Sequence, residues 1–90
     1  MPDITQEVEV VNSLGIHARP AAMLVQRMLA FESNVFISFN GNRVNAKSIM
    51  GLLTLAATRG SRMTVSCSGP DAQEAVDAAH DVFSSGFGED

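Results

Sequence analysis

Across Leu14-Gly15-Ile16-His17-Ala18-Arg19-Pro20-Ala21-Ala22 the period of the chain changes, from an alternating segment before it to a helical one after it. Gly15 frees a turn, His17 sits at the boundary, and Pro20 falls in the first helical turn. Proline is tolerated there because the first helical N–H groups have no intrahelical partner. Those N–H groups and the positive end of the helix dipole make the boundary a natural anion site. Histidine is a nucleophile that can form a covalent intermediate, so His17 can carry a phosphoryl group whose charge the backbone receives. Arg19 adds a guanidinium, which forks onto phosphate better than an ammonium does. A lone histidine more often packs or faces solvent, and spacing alone does not select the chemical role.

Working outward, residues 4–11 alternate with Val8 and Val10 on one face and Glu7 and Glu9 on the other, as in a half-buried strand. From Ala18 to about Phe31, Ala21, Val25, Met28 and Leu29 follow helical spacing and predict an amphipathic helix. Residues 34–39 alternate again, and Asn40-Gly41 is a two-residue hairpin signal, because a type I′ turn needs positive φ at both positions. Residues 42–45 pair back as a short strand. A short helix is expected from Lys47 to about Leu55, then a strand over 62–68 with Met63, Val65 and Cys67 inward. Asp71 and Glu74 have capping-box spacing ahead of Ala72, Ala75, Val76, Ala79 and Phe83, one face of a last helix. The order is β-α-β-β-α-β-α, an α+β chain whose helices and antiparallel sheet pack as two layers.

Ninety residues fit one domain spanning 1–90. A chain this short buries only roughly two-thirds of the surface its unfolded form exposes, and 46% hydrophobic residues suffice for such a core. No apolar run approaches the ~20 residues of a membrane span, and Met1-Pro2-Asp3 has neither the basic start nor the apolar stretch of a secretory signal. One cysteine excludes an internal disulfide framework. These features predict a cytoplasmic protein with no membrane insertion. No cluster of His, Cys and acids has metal-ligand spacing, so neither metal nor cofactor is expected. The net charge of −4 is unevenly spread: residues 33–70 hold Arg43, Lys47, Arg59 and Arg62 and no acid, whereas residues 71–90 hold Asp71, Glu74, Asp77, Asp81, Glu89 and Asp90 and no Lys or Arg. That polarity can steer partners onto the basic side, or simply solvate an acidic helix. Nucleic acid is a poor fit to an acidic chain whose only aromatics are phenylalanines.

The nonapeptide resembles the active-site signature of the histidine-containing phosphocarrier (HPr) family of bacterial phosphotransferase systems. Val44-Asn45-Ala46-Lys47-Ser48-Ile49-Met50-Gly51-Leu52 resembles the family's second signature, and Gly69-Pro70-Asp71 its opening of the last helix. The resemblance implies an open-faced sandwich, a four-stranded antiparallel sheet covered by three helices. It implies a monomeric phosphoryl carrier rather than an enzyme, with His17 accepting phosphate from phospho-enzyme I and passing it to a histidine of an enzyme IIA protein. Arg19 assists, while Gly15 and Pro20 shape the loop and the helix start. The ending Phe83-Ser84-Ser85-Gly86-Phe87-Gly88-Glu89-Asp90 resembles the nitrogen-branch relative NPr, and Gln26 and Leu29 stand where the enteric sugar branch carries lysines. The Lys47–Gly51 segment is closer to HPr proper. A passive α+β interaction domain in which His17 only packs is the alternative from another class.

Ile49, Met50, Leu52 and Leu53 cannot all fit one narrow buried face. Ile49 and Met50 are the expected exposed pair of an apolar docking patch rimmed by Arg19, Arg27 and Lys47. Ser48 stands at the start of the short helix, where a serine commonly caps and a phosphate would meet the helix N-terminus. By resemblance it matches the serine that a dedicated HPr kinase modifies in many Gram-positive bacteria. His80, beside the apolar stripe of the last helix, has a structural or surface role.

Overall fold

A computed structural model describes residues 3–89. Met1, Pro2 and Asp90, which figure in the readings of the N-terminus and the acidic tract, lie outside the described residues. The alternating and helical segments form β1 (Ile4–Glu9), α1 (Ala18–Met28), β2 (Asn34–Phe39), β3 (Asn42–Asn45), α2 (Ile49–Thr54), β4 (Arg62–Ser68) and α3 (Ala72–Ser84), and a 3-10 turn follows at Gly86–Gly88. The strands make one antiparallel sheet in the order β1-β4-β2-β3. Its register sets Val8 opposite Met63, Ile37 opposite Val65, and Val35 opposite Cys67. Since side chains alternate across a strand, these residues share one face, and all six are buried. The result is the two-layer sandwich expected from the sequence. Asn40 (φ 51°) and Gly41 (φ 82°) both lie in the left-handed region, so the β2–β3 hairpin turns as its sequence requires.

Leu24 and Met28 of α1, Leu52 of α2 and Phe83 of α3 are fully buried. Burial of each such side chain contributes roughly 1.5–3 kcal/mol. α1 ends at Met28 rather than near Phe31, and its buried stripe uses Leu24; Leu29 caps the helix and is 61% exposed. Ala30 and Phe31 donate only three residues back, to Arg27 O and Met28 O, so the α-helical ladder lapses there. The Asp71 carboxylate accepts the N–H groups of Glu32 and Ser33 and the hydroxyl of Ser33. Those amides are thus drawn away from any further helical turn. The same arrangement corrects the expected Asp71–Glu74 capping box: Asp71 is the N-cap residue of α3, but its side chain makes no capping bond there. Its own N–H instead donates to Ser33 Oγ at 3.2 Å, a reciprocal clasp joining two loops. Ser33 hydrogen bonding holds the Asp71 carboxyl below its ordinary pKa, with the Glu32 and Ser33 amides adding to the effect.

Candidate functional site

The site begins where β1 hands the chain to α1. Val10 pairs with the segment after α2, donating to Ser61 O (2.9 Å) and accepting from Gly60 N (2.7 Å). Farther on, Ile16 N donates to Ala57 O at 3.0 Å, and the Ile16 side chain is buried. Gly15, between these anchors, has φ +70° and passes so close to Ala57 and Thr58 that a Cβ would collide with their backbone. Glycine is required there on both counts.

His17 is the N-cap residue of α1, in an extended conformation, and its side chain is 38% exposed. The first intrahelical bond runs from Ala21 N to His17 O (3.1 Å). Helix geometry leaves the N–H groups of Ala18 and Arg19 without intrahelical partners, and Pro20 has no N–H to satisfy. The Pro20 ring is buried, while Arg19 is exposed in the same turn. His17 makes no side-chain cap. Its Nε2 instead meets Glu89, 2.9 Å from Oε2 and 3.0 Å from Oε1.

Neither Glu89 nor its support Asn12 was singled out from the sequence. Glu89 reaches the site because Gly86, Phe87 and Gly88 all take positive φ (65°, 57° and 73°), turning the chain back after α3. The buried Phe87 ring stacks edge-on against Phe83, centroids 4.9 Å apart, and fixes that turn. Asn12 is itself buried, and its Nδ2 donates both to Glu89 Oε1 (3.0 Å) and to Gly15 O (2.8 Å). The hydrogen bond from His17 is the main cause holding the Glu89 carboxyl below its ordinary pKa; Asn12 and the charges of His17 and Arg19 act the same way, and desolvation opposes them. The legible signal was an aromatic between two glycines, a segment able to fold back and anchor.

On the α2 side, Ser48 is the N-cap and its Oγ accepts from Gly51 N at 3.1 Å. The helix starts at Ile49, so Lys47, the expected first residue, lies instead in the preceding turn, outside α2. Its ammonium is half-buried and donates to Phe31 O at 2.7 Å rather than extending into solvent as a rim charge. Ile49 (40%) and Met50 (72%) are exposed, Leu52 is fully buried and Leu53 partly so. Arg27 is exposed in the last turn of α1. Leu14, at 74% exposure, is an apolar side chain beside the His17 loop that the sequence reading did not use. His80 lines a groove with Glu7, Glu9 and Arg62 and is not among the groups that meet His17. Burial pushes the Cys67 thiol up to about 11, leaving it inert inside the sheet.

The two-layer sandwich presents a partly exposed histidine at a helix start, with a carboxylate and an exposed guanidinium beside it. Residues 4–85 match the family described as PTS HPr component phosphorylation site. The chain is 45% identical over 87 residues to phosphocarrier protein HPr of Xylella fastidiosa (strain Temecula1), covering 97% of this chain and 98% of that protein. Among solved structures it resembles HPr of Thermoanaerobacter tengcongensis, with TM-score 0.89 and 40% identity over 100% of this chain and 99% of the other. It also resembles Crh, the catabolite repression protein of Bacillus subtilis, which forms a dimer with a swapping domain: TM-score 0.76, 42% identity, 92% of this chain and 95% of the other. The chain belongs to the HPr family of phosphotransferase-system phosphocarriers.

Proposed function

We propose that this protein carries a phosphoryl group on His17, accepting it from phospho-enzyme I and passing it to a histidine of an enzyme IIA protein, in sugar uptake or its regulation. The observation that carries this reading is a half-exposed imidazole at the N-cap of α1, beside Ala18 and Arg19 amides without intrahelical partners. The imidazole supplies the nucleophile. The charge of the incoming group falls to those amides, at about 0.3–1 kcal/mol for the dipole contribution, and to the exposed Arg19 guanidinium. Such modest terms suit a group that must leave again, and the partner completes the site for transfer. Ile49 and Met50, with the exposed Arg19 and Arg27 of α1, serve as the docking surface; Leu52, expected as part of it, is fully buried and offers a partner no surface, and Leu53 is only partly exposed. Ser48 is the candidate regulatory position, where a phosphate would replace a hydroxyl already engaged in capping α2.

The carrier is read as cytoplasmic and monomeric. Among the described residues no helix is long and apolar enough to cross a membrane, and sedimentation distinguishes a monomer from an exchange dimer of the kind Crh forms. A nitrogen-branch regulatory role is the second reading, supported by the Gly-Phe-Gly-Glu ending and by Gln26 and Leu29 on α1 and its cap. Comparing acceptor enzyme IIA proteins separates the branches. The deciding experiment is intact mass after incubation with enzyme I and phosphoenolpyruvate. One acid-labile phosphoryl group on the parent and none on His17→Ala is expected. No phosphorylation by enzyme I proteins that are active on their own carriers would favour a passive interaction domain.

A further inference from the structure

We infer that Glu89, braced by Asn12, is a positioning residue that holds the His17 imidazole with its proton on Nε2 and its lone pair on Nδ1, ready for phosphoryl transfer. The inference rests on the carrier reading and adds a device to it. Both Glu89 oxygens lie within hydrogen-bond reach of His17 Nε2, at 2.9 and 3.0 Å. An ionised carboxylate only accepts, so the proton shared between the two groups belongs to Nε2. In the neutral ring the lone pair then resides on Nδ1, the nitrogen left to attack.

The carboxylate is itself held. Asn12 Nδ2 binds Glu89 Oε1 and the carbonyl of Gly15, two residues before His17, so carboxylate and imidazole are referred to the same loop. Asn12 is 1% exposed and its Oδ1 has no hydrogen-bond partner among the described residues, which makes the amide costly to bury except for what its nitrogen holds. Glu89 retains only 14% side-chain exposure against 38% for His17, so solvent screens the carboxylate less than the imidazole.

In the transfer step, Nδ1 forms a bond to phosphorus while the bond from phosphorus to the donor's histidine nitrogen breaks. The electron pair of the broken bond stays on the donor. The acceptor ring then carries both a phosphoryl group and the Nε2 proton, hence a positive charge, which the Glu89 carboxylate balances. Reverse transfer restores the neutral ring with its Nε2–H unchanged. Arg19, the other charged group acting on Glu89, limits how negative the pair becomes.

The test combines two readouts on the full chain. Long-range proton–nitrogen NMR couplings, recorded where the ring is neutral, report the His17 tautomer; initial rates with phospho-enzyme I report transfer. The parent is expected to hold the Nε2–H form almost alone. Glu89→Ala should return His17 to the tautomer mixture of a free imidazole and slow phosphorylation about tenfold, the size of a lost charge-assisted hydrogen bond at a partly exposed site. Glu89→Gln keeps an acceptor oxygen and loses the charge, so it should restore the tautomer and only part of the rate. An unchanged tautomer or an unchanged rate in Glu89→Ala, with the amide spectrum of the fold intact, would overturn the positioning role and leave the carrier reading standing. A parent that takes no phosphoryl group would overturn the carrier reading itself, and with it any use of the positioned ring.

Discussion

Single residues decide how the two loops around the site are shaped. Gly15 combines a left-handed backbone with contact against Ala57 and Thr58. Gly15→Ala should therefore destabilise the fold by about 2–4 kcal/mol, from backbone strain of roughly 1 kcal/mol or more plus overpacking, as measured by urea unfolding. Asp71 acts through charge. Its folded pKa is depressed, first by Ser33, so its contribution is full above the ordinary value of 3.8 and is lost as pH falls through the lower folded value. Unfolding midpoints of the parent and Asp71→Ala should differ clearly at neutral pH and converge in acid. The role of Gly15 was legible because a glycine before a helix start announces a turn. That of Asp71 was misread: its spacing to Glu74 matched a local cap, and nothing local signals that Ser33 will claim the carboxylate.

Among the elements, those with a strict local period were the easiest to read. β4 alternates most cleanly, in β2 Val35 and Ile37 are the buried pair and in β1 only Val8 is buried, and the Asn40-Gly41 turn admits few alternatives. The end of α1 and the start of α2 were harder, since tight turns at Ala30 and Phe31 and a serine cap set them, not periodicity. The turn after α3 escaped because three successive left-handed residues, one of them phenylalanine, are tolerable only with the ring buried against Phe83. Phe87→Ala should accordingly cost about 3 kcal/mol in thermal or chemical unfolding. The same variant should release Glu89, and His17 resonances should then approach those of the Glu89→Ala protein.

For the molecule as a whole, the basic residues 33–70 and the acidic residues 71–90 create an uneven field. Met50 is exposed and is the centre of the proposed docking surface, and methionine adapts to several partners in turn. Met50→Asp should raise the KM for enzyme I about tenfold or more while circular dichroism and melting stay close to the parent. Steady-state phosphorylation kinetics check this, and an unchanged KM removes Met50 from the docking surface. His17, Arg19 and the helix start were visible in one short run of sequence. The carboxylate facing them was not, because proximity across the fold has no local pattern.

That pairing joins positions 17 and 89, a sequence separation of 72. Closing so long a loop is an entropic step that local contacts must precede. The imidazole is therefore seated only when the sheet, the helices and the final turn have all assembled. Brief opening of the last turn alone would leave a chain that is folded by every bulk measure yet whose histidine has lost its carboxylate. Hydrogen exchange at Gly88 and Glu89, whose amides bond within that turn, would count how often the protein visits such a state.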